Sequence, residues 1–188
     1  MAEKILMNKN TLAALKTELQ EYNTALPVFE MKEQKLKEAV QAAESNVVRL
    51  QAAIAAAEAE TKKWVAVMAE EAMDFSDHLK VEKIQTQKRE VAGVRIEEFD
   101  DIVYEDREVD LFNTPLWVDA ALEVIRDHKT NRLMVRMEEQ NLERLREELA
   151  EARRMKNALK EVFIPEAREN IRKIEIYLGD VERLAIGC

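Results

Sequence analysis

The fold is decided by residues 12–68, which read LAALKTELQEYNTALPVFEMKEQKLKEAVQAAESNVVRLQAAIAAAEAETKKWVAVM. Apolar side chains recur along this stretch at alternating spacings of three and four residues, interrupted only by Glu33 and Thr61. The other members of the stripe are Leu12, Leu15, Leu19, Tyr22, Leu26, Phe29, Leu36, Val40, Ala43, Val47, Leu50, Ile54, Ala57, Trp64 and Met68. A period of 3.5 residues held over this length predicts a coiled-coil helix, roughly 80 Å long at 1.5 Å per residue. We expect Asn10 or Thr11 to cap its start.

A second stripe begins after Thr114-Pro115, a pair typical of a helix start. Its members are Trp117, Ala121, Val124, Val135, Leu142, Leu145, Leu149, Ala152 and Leu159. The spacing then becomes four residues three times over, through Phe163, Ala167 and Ile171, before the three-four pattern returns with Ile174, Leu178, Val181 and Ala185. Such an insertion of four residues predicts a stutter that locally unwinds a supercoil. Proline removes a backbone donor, so Pro27 predicts a bend in the first helix, and Pro165, within the stutter, predicts a lost hydrogen bond in the second.

Between the two stripes the residue pattern changes. β-Branched residues become frequent from Glu82 to Tyr104, and Gly93 lies between extended-looking flanks. These features predict a β-hairpin or a pair of short strands. The sequence therefore predicts three segments: a coiled-coil helix over 1–75, a central module over 76–113, and a second coiled-coil helix over 114–188.

Composition supports a mainly α fold, a long antiparallel two-helix coiled coil with a small central β-hairpin module. Charged residues make up 36% of the chain, aromatic residues only 5%, and there are three glycines and three prolines. This is typical of long solvated helices and leaves little material for a thick core. Two helices that are distant in sequence pair most simply by folding back on one another.

The charge distribution limits the classes of partner. The formal net charge is −9, and the imbalance lies in residues 66–129, which hold eight basic and seventeen acidic side chains. A net acidic chain is a poor ligand for nucleic acids and for anionic membranes. No apolar run is long enough to span a bilayer, and Cys188 is the only cysteine. We therefore expect a cytoplasmic protein with no nucleic-acid partner and no membrane insertion.

No motif for catalysis, cofactor binding or metal binding is present. The chain lacks a phosphate-binding glycine loop, a His-Glu-x-x-His motif and paired cysteines, so no cofactor is expected. Of its two histidines, His78 lies in the central module and His128 falls at a polar position of the second stripe, where a structural role is favoured. The acidic run lacks the pattern of a calcium loop, which favours a solvated face or a docking patch for a basic partner. It comprises Glu97, Glu98, Asp100, Asp101, Glu105, Asp106, Glu108 and Asp110.

Residues 153–165, RRMKNALKEVFIP, are similar to a signature of the D subunit of V-type rotary ATPases. That family has an arginine pair, then Asn-Ala-Leu, an apolar pair and Ile-Pro. Residues 91–95, VAGVR, resemble its glycine-centred stretch in the middle module, and residues 8–10 resemble the family's start. The Leu26-Pro27 pair followed by Lys32 is similar to the bacterial branch. Lys156 departs from the signature, since that position is usually apolar, and Lys160-Glu161 replaces an acidic-aromatic pair.

The resemblance implies a non-catalytic central-stalk shaft that transmits torque between the catalytic A/B hexamer and the membrane ion-translocating ring. It implies binding to the A and B subunits, to the small F subunit of the stalk and to the subunit that connects to the ring, with ATP bound only by A and B. The complex would hold the chain at the periphery of a membrane. The interface residues that it implies are Arg153, Arg154, Asn157, Ala158, Leu159, Ile164, Pro165, Gly93 and Arg95. For the two arginines, surface solvation with pairing along the helix is the alternative.

Two other functions share the predicted architecture. A prefoldin-like chaperone also places a β-hairpin between two helices, but this chain is long for that class and would have no use for the arginine-to-proline motif. A generic coiled-coil scaffold is the second alternative.

Overall fold

A computed structural model of the chain describes residues 6–68, 79–105 and 117–186. Helix α1 spans Lys9–Met68, strands β1 and β2 span Val81–Val91 and Val94–Tyr104, and helix α2 spans Val118–Ala158. A π-helix follows over Leu159–Phe163, and helix α3 over Ile164–Ile186. The mainly α fold with a small two-stranded sheet in its middle is confirmed. The boundaries predicted at 75/76 and 113/114, together with Thr114-Pro115, His78 and Cys188, lie outside the described residues.

The start of α1 differs from the prediction by two residues. Asn8, and neither Asn10 nor Thr11, caps the helix, since the N–H of Thr11 donates to Asn8 Oδ1 at 2.7 Å. An asparagine oxygen at the N-cap satisfies one of the backbone donors that a helix start leaves without a partner. Pro27 lies inside α1 without ending it.

The chain divides into two compact units, residues 1–35 with 148–188 and residues 36–147. In the first unit the beginning of α1 pairs with the end of α2 and with α3 in antiparallel fashion. The order of the ion pairs shows this, because Lys9 contacts Glu182 at 3.0 Å and Lys16 contacts Glu175 at 2.7 Å. The buried residues of this unit are Glu33, Leu149, Ala152, Leu159, Ile164, Ala167, Ile171 and Ile174.

The second unit contains the rest of α1, the β-hairpin and most of α2. Its helices are also antiparallel, with Glu44 bonded to Arg146 at 2.6 Å and Glu58 bonded to Arg132 at 3.1 Å. The buried residues here are Leu36, Ala43, Val94, Ile96, Val118, Ala121, Leu122, Val135, Asn141, Leu142 and Leu145.

The heptad prediction is confirmed along α1, where every stripe position from Leu12 to Thr61 is buried or half-buried. The second stripe is wrong at four places. Val124 is 41% exposed and Val181 is 44% exposed, and Ala185 is exposed as well, so none of these three belongs to a core. Phe163 is displaced by the π-helix and Ile164 takes its place in the core. Within the described residues, the helices contain no segment long and apolar enough to cross a membrane.

The β-hairpin is confirmed, with antiparallel strands that pair Val91 with Val94 at the turn and Val81 with Tyr104 at the base. Ala92 and Gly93 form the two-residue connection with φ values of 51° and 89°. Positive φ at both positions defines a type I′ turn, whose twist matches that of the flanking strands. Glycine adopts this conformation freely, whereas Ala92 is strained in it.

Candidate functional site

The residues implied by the family signature lie around the π-helix in the first unit. Leu159 and Ile164 are buried, with exposed fractions of 4% and 6%. Their side chains therefore stabilise the helix pair and are withdrawn from any partner surface. Ala158 is half-buried. Arg154, Asn157 and Pro165 are exposed, as are the neighbouring side chains of Met155 and Val162.

The π-helix explains the irregular spacing that the sequence shows after Leu159. The N–H of Ile164 donates to the carbonyl oxygen of Leu159, five residues back, in place of the usual four. The core step from Leu159 to Ile164 is accordingly five residues, and the three-four pattern resumes at Ala167 and Ile171. Pro165 has no N–H to donate, which favours an irregular hydrogen-bond ladder at this point. One inserted residue, and not a stutter of four, shifts the phase.

Phe163, moved off the core line by that extra residue, packs on α1. Its ring stacks on the ring of Tyr22 with 5.5 Å between the centroids, and its residue remains 38% exposed. Tyr22 also donates a hydrogen bond to the Glu18 carboxylate, a contact that raises the pKa of the phenol above its usual value. Aromatic stacking of this kind stabilises by about 1 kcal/mol beyond simple burial.

Arg153 forms an intramolecular ion pair with a buried carboxylate. Its Nε lies 3.2 Å from Oε1 of Glu33, and Nζ of Lys156 lies 2.7 Å from Oε2 of the same residue. Glu33 is the acidic interruption of the first stripe, and Lys156 is the departure from the family signature. Their contact explains both irregularities together, because a buried charge must be paired and hydrogen-bonded.

The hairpin carries the other two predicted interface residues. Gly93 and Arg95 are both exposed at its turn end. Arg95 faces Glu90 across the two strands, a pairing of opposite charges that favours the register. A cleft of about 290 Å³ opens here between Lys88, Arg89, Glu90, Arg95, Ile96, Glu97 and Arg144.

Two side chains fasten the hairpin to α2, and sequence reasoning missed both. Asn141 is 3% exposed; its Oδ1 accepts the N–H of Glu97 at 3.2 Å and its Nδ2 donates to the Glu97 carbonyl at 2.7 Å. Tyr104 donates to the carbonyl of Arg126 at 3.1 Å, and the guanidinium of Arg126 lies 5.0 Å from its ring centroid. Asn141 lies next to the stripe residue Leu142, so no periodicity revealed it.

These two anchors define the direction of the strand. The distance from Glu97 to Tyr104 is about 23 Å along a strand, and that from Arg126 to Asn141 is about 22 Å along a helix. Because the two lengths match, β2 lies along α2. Glu97 contacts the later residue Asn141 and Tyr104 contacts the earlier residue Arg126, so the two chain directions are opposite. This arrangement buries Val94 and Ile96.

The remaining polar candidates lie on the surface of the second unit. His128 contacts Glu58, with 3.3 Å between Nε2 and Oε1, and Glu58 also binds Arg132. This contact supports the structural role predicted for His128. An apolar groove of about 460 Å³ runs beside it, lined in part by Trp117, Ala121 and Val124. In the acidic run, Glu97, Glu98, Asp100, Asp101 and Glu105 are exposed; Asp106, Glu108 and Asp110 lie outside the described residues.

The chain is similar to proteins of one known family along nearly its whole length. A family model described as the ATP synthase D subunit matches residues 11–186, which include nearly all of α1 and the whole of the hairpin, α2, the π-helix and α3. The chain belongs to the ATP synthase D-subunit family. It is 29% identical to the V-type ATP synthase D subunit of Borreliella burgdorferi over 183 residues, covering 97% of this chain and 90% of that protein. Proteins of the same name from Chlamydia abortus and Chlamydia felis are 24% and 25% identical, each over 96% of this chain and 88% of theirs. The family that the resemblance indicated is thereby confirmed.

Proposed function

We propose that this chain is the central-stalk shaft of a V-type rotary ATPase and transmits torque between the catalytic A/B hexamer and the membrane ion-translocating ring. The observation that carries the proposal is the family match over residues 11–186. It agrees with the fold, because paired helices resist bending and twisting, as a shaft must. A shaft must also present different surfaces on its different sides, because the subunits of a hexamer can turn it only if they contact it unequally.

The first unit supplies such a difference between sides. Within the described part of this unit, the segment after residue 148 contains a π-helix and the segment from α1 does not. The π-helical segment presents Met155, Val162 and Phe163 on its exposed surface. Arg154, Asn157 and Pro165 lie in the same stretch and are exposed. We assign this surface to contact with the A and B subunits, where an apolar patch beside a cation fits apolar side chains flanked by carboxylates.

The second unit is assigned to contact with the small F subunit and with the subunit that connects to the membrane ring. Its hairpin offers exposed residues of both signs, and Gly93 and Arg95 lie at its turn end. In this assignment the chain itself is not catalytic and binds no cofactor. ATP binding and hydrolysis belong to A and B, and the complex holds the chain in the cytoplasm at the membrane periphery.

Co-expression with the A and B subunits of the same organism tests the proposal. Isolation of an assembled complex whose ATP hydrolysis rotates a probe fixed to this chain is the expected result. Recovery of unfolded client proteins instead would favour the prefoldin-like chaperone, and a chain that binds neither A/B nor clients would favour a scaffold.

The residue assignment is tested by reversing one charge. Arg154→Glu should weaken binding to A/B about tenfold, since the loss of one interfacial cation costs about 1–2 kcal/mol. Arg49→Glu, an exposed reversal in the second unit, is the matched control and should leave binding unchanged. Arg153 is unsuitable for this test because its reversal would place an acid beside the buried Glu33. Equal affinity of the Arg154→Glu and Arg49→Glu variants would remove Arg154 from the interface.

A further inference from the structure

The two edges of the hairpin differ in how their backbone groups are satisfied. In a hairpin with a two-residue turn, Val91 and Val94 form a hydrogen-bonded pair, and the pairs that follow alternate with non-hydrogen-bonded pairs. Glu97 pairs with Lys88, which makes it a member of a non-hydrogen-bonded pair whose backbone groups point away from β1. Asn141 binds both of these groups through its amide. The outer edge of β2 is therefore closed at this point by a side chain that mimics a neighbouring strand.

None of the described residues pairs with the outer edge of β1 over the corresponding stretch. By the same alternation, Thr86, Lys88 and Glu90 direct their N–H and C=O groups away from β2. All residues from Thr86 to Glu90 are exposed. These three residues offer three donors and three acceptors, which is the arrangement that an added strand recognises.

The charge of β1 selects the kind of strand that this edge accepts. β1 carries Glu82 and Glu90 near its two ends. Between them, residues 83–89, KIQTQKR, contain three basic side chains and no acidic one, in a chain whose net charge is −9. β2 is acidic, and its carboxylates face those cations across the ladder, as in the Arg89–Glu98 ion pair of 2.8 Å. An acidic strand on the other side of β1 would repeat this pairing. Ile84, 41% exposed, offers an apolar contact on the same strand.

A second copy of this chain is a poor occupant of the edge. In a symmetric antiparallel pairing of two β1 strands about Thr86, Lys83 would face Arg89 and Glu82 would face Glu90, so like charges would meet at both pairs. Lysine on an edge strand is also a known device against self-association. The partner is accordingly a different protein.

We propose that the outer edge of β1 binds an acidic, extended segment of another protein of the complex, which adds a third strand to the sheet. This inference rests on the proposed function for the origin of the partner. The recognition is by backbone hydrogen bonds at Thr86, Lys88 and Glu90, with Lys83, Lys88 and Arg89 selecting the acidic side chains.

Residue-resolved hydrogen exchange on the full chain, alone and in the purified complex, tests the proposal. In the free chain the amides of Thr86 and Lys88 should exchange rapidly, while those of Gln87 and Arg89, which point into the ladder, should be protected. In the complex, Thr86 and Lys88 should gain about 100-fold protection or more. The Gln87 and Arg89 amides are the internal control for an intact hairpin.

Backbone and charge variants distinguish strand addition from burial of the edge by a partner that forms no backbone hydrogen bonds with it. Lys88→Pro removes an outward donor, which an edge strand tolerates, and should abolish the new protection at Thr86 while the hairpin survives. Lys88→Glu should have the same effect through charge, and Lys88→Arg should not.

Three results would overturn the inference: an assembled complex in which Thr86 and Lys88 still exchange rapidly, protection that survives both Lys88→Pro and Lys88→Glu, or protection that appears in the isolated chain on concentration. Failure of the complex to assemble at all is a separate result, which counts against the proposed function.

Discussion

The buried contact between Glu33 and Lys156 makes a quantitative prediction for stability. The Glu33 side chain is 8% exposed and Lys156 is 24% exposed, with 2.7 Å between their charged atoms. Replacing Lys156 by methionine keeps the aliphatic stem and removes the charge. Arg153, whose side chain is 50% exposed, then remains beside the carboxylate. A lost charge-assisted hydrogen bond costs about 1.5–3 kcal/mol when a buried acceptor remains.

The reverse substitution should be milder. In Glu33→Met, the Lys156 ammonium is left without this carboxylate, but its long stem allows it to reach water, so the cost should be about 1 kcal/mol or less. In the double variant the two methionines face each other as apolar residues, and stability should return to within about 1 kcal/mol of the parent. The coupling energy expected from the cycle is about 1.5–2 kcal/mol.

Thermal and denaturant unfolding of the four proteins, followed by helical circular dichroism, measures this cycle. For a chain of this size Lys156→Met should lower the melting temperature by about 3–8 °C, and the double variant should recover most of that loss. Single-variant effects that simply add, with a coupling below about 0.5 kcal/mol, would refute the claim that Lys156 is present to satisfy Glu33.

Three further predictions concern single contacts. Ala92→Asn should stabilise the hairpin by about 0.5–1 kcal/mol, because asparagine tolerates positive φ better than alanine, and slower exchange of the ladder amides would show it. Asn141→Ala removes both hydrogen bonds to Glu97, which should destabilise the attachment of the hairpin by about 1–3 kcal/mol. Hydrogen exchange of the Glu97 amide should then be about tenfold faster or more, and unchanged exchange would mean that the anchor is dispensable. The pKa of Tyr22 is raised above 10.0 chiefly by its hydrogen bond to Glu18. The contribution of the protonated phenol to folding stability is therefore fully present below pH 10 and is lost as the pH rises through the pKa of the folded state. Glu18→Ala should therefore lower the pH at which Tyr22 absorbs as phenolate in an ultraviolet titration, and an unmoved midpoint would contradict this cause.

Adjacent residues predicted where the hairpin lies, but only tertiary contacts show how it is attached to α2. The β-branched residues and Gly93 located the strands and their turn, since turn geometry depends on a few adjacent residues. Nothing local indicated that Asn141 and Tyr104 fasten the hairpin to α2. Both contacts join residues at least 22 positions apart, and polar side chains beside a stripe look alike whether they meet water or a strand.

By itself the sequence determined the helices, their heptad stripe and the family. These follow from periodicity, propensity and the residues of a signature, all of which are properties of neighbouring positions. Only the tertiary structure decided the environment of the irregular positions. The step of five at the π-helix replaced the predicted stutter, Ile164 took the place of Phe163 in the core, and Arg153 became a partner of Glu33. These outcomes depend on which side chains meet across two helices, where burial makes an unpaired charge or a misplaced ring costly, and the order of residues along one chain does not specify which of them will meet.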